Sequence, residues 1–252
     1  MANYLCRVAF DGLRFKGTQI QPAGTPTLQG TLEKLLSTIY DAPVKIRFSS
    51  RLDAGVSARD LCFSFRAEKE LDLDRVVNFL NTQGAPALRI RSMRRVKDSF
   101  DARSAPHAKE YVYLLDLGVY DPVLDSRAWP IYKPLERQLL ARALSLFEGT
   151  HDFSSFASLE QRGVRDESFI SNIERIRVSF PRRGKLAQIT IRGWAFHRYQ
   201  VRMMVGAAVR VALGRDSLET IEERLTHPDI DAAKLKAPAE GLTLSRTIYR
   251  RR

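Results

Sequence analysis

Ser49 to Asp60 reads SSRLDAGVSARD, a polar stretch between two short apolar runs. Upstream, Val44, Ile46 and Phe48 occupy alternate positions; downstream, Leu61, Phe63 and Phe65 do the same. Alternation with a period of two puts every second side chain on one face of a sheet. Both runs are therefore strands, and the stretch between them is a loop held at each end by a rigid element. Inside it, Asp-Ala-Gly carries the chemistry of a tight turn: Gly55 can take positive φ, and Asp53 can bond its own backbone. Taken alone, the segment is simply a turn.

The pattern continues outward. Tyr4, Cys6, Val8 and Phe10 alternate as a strand. Thr27 can cap a helix carrying Leu28, Leu32, Leu35, Leu36 and Ile39 at helical spacing. A second helix follows from Leu73, Val76, Val77 and Leu80, and a further strand from Leu88 to Val96. The first hundred residues thus read β-α-β-β-α-β. Pro106 interrupts the pattern near 104–108, which sets an expected boundary between a sub-domain of residues 1–104 and one of residues 105–252. In the second, Tyr111 to Leu117 predicts a strand, and Leu135 to Phe147 a helix stopped by Gly149. Ile173 to Phe180 and Leu186 to Gly193 predict a hairpin across PRRGK. Val201, Met204, Val205, Ala208 and Ala212 predict a helix ending at Gly214. Ser217 caps a short helix bearing Leu218, Ile221 and Leu225, and Leu242 to Tyr249 closes as a strand. Segregated strands and helices in this order indicate an α+β fold, two sub-domains with mainly antiparallel sheets covered by helices.

The chain of 252 residues carries 41 Lys and Arg against 29 Asp and Glu, a formal charge of +12. Such an excess points to a polyanionic partner. The basic residues alternate along strands and form no amphipathic helix, which favours nucleic acid over a membrane. No apolar run is long enough to span a bilayer. The start, MANYLCRVAF, lacks the layout of a signal peptide, so a cytoplasmic protein is expected. Cys6 and Cys62 sit in apolar alternation and read as buried thiols. The two Cys and the scattered His107, His151, His197 and His227 show no metal-ligand spacing, so no metal is expected.

With these readings made, SSRLDAGVSARD resembles the active-site loop of TruA-type pseudouridine synthases, written G-R-T-D-A-G-V-H-A. Arg51, Asp53, Ala54, Gly55, Val56 and Ala58 match. FDGLRFKGTQIQ (Phe10 to Gln21) resembles the family's opening Y-x-G-x-x-F-x-G-W/F-Q-x-Q. TLQGTLEKLL, FDARSA with KEYVY, GWAFHRYQVRMMVGA and EGLTL resemble further family motifs, in family order, from Phe10 to Leu244. The resemblance implies an RNA-modifying isomerase that detaches uracil from C1′, rotates it and rejoins it through C5. The net reaction moves no electrons, so no cofactor is expected. The implied substrate is transfer RNA, with uridines at positions 38 to 40 of the anticodon arm as family targets. The resemblance also implies a homodimer and a basic active-site cleft flanked by the two sub-domains.

The same resemblance assigns residues. Asp53 is the catalytic carboxylate, and the chemistry leaves three routes open: attack on the sugar, attack on the base, or removal of a sugar proton. Arg202 is the cation that keeps this carboxylate ionised against desolvation. Its helix is otherwise apolar, which does not suit a surface arginine. Tyr111 stacks on the uracil and assists loss of the C5 proton, and Leu242 packs on the other face of the base. Arg51 fills the space vacated when the nucleotide is flipped out. Lys109 and Phe196 support this set. Ser50, Leu52 and Ser57 depart from the family's Gly, Thr and His, and Thr18 stands where the family has Trp or Phe. These departures keep alternatives in view: a related synthase acting on another RNA, a non-catalytic RNA-binding protein, or a basic α+β scaffold of other function.

Overall fold

Alternating apolar residues and capped amphipathic stretches build the elements of the computed structural model, which describes residues 1–22, 24–118, 127–159, 168–181, 185–232 and 235–250. In chain order these are β1 (Ala2–Phe10), α1 (Leu28–Tyr40), β2 (Ile46–Phe48), β3 (Ser57–Ala67), α2 (Leu73–Gly84) and β4 (Leu88–Val96). There follow β5 (His107–Asp116), β6 (Trp129–Pro130), α3 (Arg137–Ser145), β7 (Gly149–Asp152), β8 (Ile170–Ser179) and β9 (Leu186–Gly193). The last are α4 (Gln200–Ala212), α5 (Leu218–Thr226) and β10 (Leu242–Tyr249). The fold is α+β with mostly antiparallel strands. No helix is long and apolar enough to cross a membrane among the described residues.

The chain divides into two units, Met1–His107 with Thr243–Arg252, and Ala108–Leu242. The sequence reading leaves the last strand with the second part; contacts place it with the first. The cause is pairing. β10 lies parallel to β3, with Thr243 opposite Ser57 and Leu244 opposite Ala58. Thr247 Oγ1 then donates to the Asp60 carbonyl at 2.8 Å, and the Tyr249 hydroxyl to the Ala102 carbonyl at 2.8 Å.

In the first unit the strands run β4-β1-β3-β10, with β2 also on β3. β1 pairs antiparallel with β3 and β4. Tyr4 faces Phe65 across the β1–β3 pair, Cys6 faces Phe63 and Val8 faces Leu61, so these six line one face. Thr27 caps α1 by accepting from Gly30 N, and Leu28, Leu32, Leu36 and Tyr40 are buried. Tyr40 meets the Phe65 ring edge-on at 5.7 Å. Glu33, also buried, accepts from Lys45 Nζ at 2.9 Å and Ile46 N at 3.2 Å, fastening α1 to β2. α2 packs on β4 and α1. On the opposite sheet face Leu5 and Cys62 form a smaller core with Ala102, Val96, Phe100 and Tyr249. Cys6 and Cys62 are therefore buried thiols on opposite faces. Burial pushes Cys62 up to about 11 and Cys6 higher still, so neither is a ready nucleophile.

In the second unit the order is β5-β9-β8-β7, with β6 beside β5. β8 and β9 pair antiparallel as the hairpin pattern predicts; residues 182–184 of its PRRGK link, and 119–126, lie outside the described residues. Tyr111, Tyr113 and Leu115 face Ile191, Ile189 and Ala187. α3 packs against α4 and β8. The expected stop of α3 at Gly149 is corrected: α3 ends at Ser145, and Gly149, at φ 101, opens β7. The last turn tightens through Phe147 N to Leu144 O and Glu148 N to Ser145 O. This turns Phe147 inward against Phe156, ring centroids 4.8 Å apart.

Candidate active site

Asp53 stands at the start of a four-residue turn that leads into β3. Val56 N donates to the Asp53 carbonyl at 3.2 Å, and Gly55 takes φ 84. An L side chain at that φ is strained, so the turn requires glycine there. Asp53 is half-buried, Arg51 is exposed and Leu52 is buried. The opening segment of the chain braces this loop on both sides. Gly12 N donates to Ser57 Oγ at 3.0 Å. A Cβ on Gly12 would collide with the Val56 carbonyl, and one on Gly17 would lie 3.1 Å from the Leu52 oxygen. Thr18, fully buried, bonds both polar groups of the Leu52 backbone. Ser50 is buried as well, and its hydroxyl has no hydrogen-bond partner among the described residues.

The other candidates belong to the second unit. Lys109 and Tyr111 are alternate residues of β5 and share a face. The Tyr111 ring, 6% exposed, meets Phe196 edge-on at 5.1 Å. Lys109 faces Gly193 on β9, and a Cβ there would lie 3.1 Å from Phe196 Cζ. The bare glycine thus leaves room for Phe196 to reach Tyr111. Arg202 projects from the apolar α4 and is 8% exposed. Its Nε donates to the Ala237 carbonyl at 2.7 Å, while Ala237 N donates to the Arg202 carbonyl at 3.1 Å. Its guanidinium carbon lies 5.5 Å from the Tyr199 ring centre. Tyr113 holds the next residue through a 2.8 Å bond to the Pro238 carbonyl. Leu242 N then closes the segment on the Ala239 carbonyl at 3.0 Å, with the Leu242 side chain buried. Arg202 and Leu242 are thus linked through one pinned stretch, 237–242.

Burial lowers the Lys109 ammonium from 10.5 to about 8. The unfolded chain keeps its proton up to about pH 10.5, so burial of the cation penalises the fold fully below pH 8 and not at all above 10.5. Lys109 is half-buried, so Lys109→Met should raise unfolding stability at neutral pH by no more than about 3 kcal/mol. That gain should fade as pH rises through the window between 8 and 10.5. Urea unfolding at a series of pH values measures it. A gain of constant size across that window contradicts the burial argument.

A sequence profile of the tRNA pseudouridine synthase family matches residues 143–250. A tRNA pseudouridine synthase A of Aquifex aeolicus is 32% identical over 251 residues, covering 98% of this chain and 100% of that protein. This chain belongs to the tRNA pseudouridine synthase family. A family member from Mycoplasma genitalium is 32% identical over 249 residues and covers 99% of both chains. One from Brevibacillus brevis is 32% identical over 253 residues, covering 99% of this chain and 100% of its own. The matched stretch in these tRNA pseudouridine synthases spans both units.

Sequence reasoning passed over the residues that brace the loop. Thr18 reads only as a departure from the tRNA pseudouridine synthase pattern, and Gly12 and Gly17 only as matches to it. The close approach of Gly12 and Gly17 to the loop depends on residues roughly forty positions away, so nothing in their neighbourhood marks it.

Proposed function

We propose that this protein isomerises uridine to pseudouridine in the anticodon stem-loop of transfer RNA, with Asp53 as its catalytic carboxylate. The reading is supported above all by full-length relatives named tRNA pseudouridine synthase A, to which the Asp53 turn adds a carboxylate on a rigid, braced loop. In the reaction the C1′–N1 bond breaks and a C1′–C5 bond forms; C5 loses a proton and N1 gains one. Asp53 serves the ribose or the base as nucleophile or base. Tyr111 takes one face of the uracil and Leu242 the other. Arg202 offsets the charge of the ionised carboxylate, and Arg51 replaces the extruded nucleotide. Lys109 and Phe196 support Tyr111. By family resemblance the protein works in the cytoplasm as a homodimer. Its charge of +12 suits a structured RNA read through shape and phosphates.

Unmodified transfer RNA carrying tritium at uridine C5 tests this. Wild-type protein should release tritium to water, and primer-extension mapping should place the product in the anticodon arm, without added cofactor. RNA affinity should fall steeply with salt as phosphate contacts release counterions. Tritium release only from another RNA would mean a synthase of different target. Tight, salt-dependent binding with no release from any RNA would mean a binding protein.

A further inference from the structure

Every polar group of the Leu52 backbone is held by one side chain and its own amide. Thr18 Oγ1 accepts from Leu52 N at 3.0 Å and lies 3.4 Å from the Leu52 oxygen, to which Thr18 N donates at 3.1 Å. Leu52 immediately precedes Asp53. Thr18 is in turn fixed from behind: Gln29 N donates to its carbonyl at 2.9 Å, and Leu28 N donates to the Gly17 carbonyl at 3.2 Å. These two amides belong to the first turn of α1, whose own amides lack intrahelical partners. The helix is anchored by Leu28, Leu32 and Leu36, all fully buried. Next to Thr18, Gly17 takes φ 93, and a Cβ there would press to 3.1 Å from the same Leu52 oxygen.

We propose that Thr18 is a positioning residue for Asp53: its hydroxyl fixes the peptide before the carboxylate and so transmits the rigidity of α1 to the site. This rests on Asp53 being the catalytic carboxylate. The hydroxyl matters because Thr18 N alone satisfies the Leu52 oxygen, whereas the Leu52 N–H, buried here, depends on Oγ1. Without it that amide must turn elsewhere, and the loop turns with it. Misplacement of a reacting group by about 1 Å costs about a hundredfold in rate. A contact that only stabilised the fold would not single out the chemical step.

Thr18→Val keeps the shape and removes the acceptor; Thr18→Ser keeps the acceptor. At saturating transfer RNA, Thr18→Val should lose at least about tenfold in single-turnover rate while binding RNA within about threefold of wild type. Thr18→Ser should stay near wild type. In free protein, hydrogen exchange at the Leu52 amide should quicken at least about tenfold in Thr18→Val, with the α1 core still protected. If Thr18→Val does not fold, Thr18→Cys, with its weaker acceptor, carries the same comparison. A Thr18→Val protein with a wild-type rate at saturation, or with unchanged exchange at Leu52, overturns the proposal. Exchange is read without RNA, so it stands apart from the functional reading, which falls only if wild-type protein modifies no transfer RNA.

Discussion

Asp53→Asn should leave a folded, RNA-binding protein that forms no pseudouridine. Asparagine matches aspartate in size, and the bracing of the loop runs through backbone atoms. The Asp53 carbonyl accepts from Val56 N, Thr18 bonds the Leu52 backbone, and Gly12 lies against Val56. None of these contacts uses the carboxylate, so the bracing of the loop should survive the substitution. An amide is a poor nucleophile and a negligible base, so the chemical step loses its reagent. Removal of an essential nucleophile typically costs on the order of 10⁴ to 10⁶ in rate. Affinity for RNA should remain within a few-fold, since one side chain barely alters a chain of net charge +12. Tritium release in a single turnover, with a filter-binding Kd beside it, separates the two quantities. Turnover within tenfold of wild type would remove Asp53 from the mechanism.

The bracing that makes this expectation specific was only half written in the sequence. Local signals read well because they are short-range. Thr27 sits three residues from the amide it caps, and Tyr4, Cys6 and Val8 carry their period of two within one strand. The turn at Gly55 follows from its neighbours for the same reason. What failed to show depends on partners far apart in the chain. The parallel pairing of β10 with β3 joins Thr243 to Ser57 and is dictated by packing, not by any feature near either residue. The Arg7–Asp60 ion pair, which Thr247 joins, fixes the same strand by the same kind of remote contact. Gly149 reads as a helix stop because glycine after an amphipathic run usually is one; the chain instead leaves the helix after Ser145 through a tightened turn.

The candidate site divides along the same line. Asp53, Arg51 and Tyr111 are candidates because family motifs surround them. Arg202 was additionally marked by physics, a charge inside an apolar helical pattern, and it is buried. Lys109 gave no such sign. Strand alternation puts it on the face of Tyr111, but only burial in the folded chain makes its ammonium costly to charge. Thr18 was legible as an oddity and illegible as a contact, since its partner Leu52 lies 34 positions away.

Arg202→Ala should damage turnover nearly as much as Asp53→Asn, and it should also destabilise the fold. The structural cost comes first. The guanidinium is buried, its Nε bond to the Ala237 carbonyl is 2.7 Å long, and it packs near the Tyr199 ring. Truncation leaves that carbonyl without its charged donor and opens a space in α4's packing. Loss of a hydrogen bond from a charged group costs about 1.5–3 kcal/mol, before any cavity is counted. The slack falls on stretch 237–242, so Leu242 loses support at one end. The catalytic cost follows from charge: in the proposed reaction Arg202 offsets the negative charge of the reacting carboxylate, and alanine removes that cation. If Arg202 supplies that cation, Arg202→Ala and Asp53→Asn disable the same step. The double variant should then lose little more than either single one. Arg202→Lys keeps the charge and loses the planar fork that reaches Ala237, so it should recover rate only in part. Each assay is run well below the variant's unfolding midpoint, so that the fold defect does not masquerade as a chemical one. A phosphate-binding arginine behaves differently: it weakens RNA affinity and its salt slope while the rate at saturation survives. Single-turnover kinetics across RNA concentrations distinguish the two. Should Arg202→Ala reach the wild-type rate at saturating RNA, the arginine serves binding and not the carboxylate.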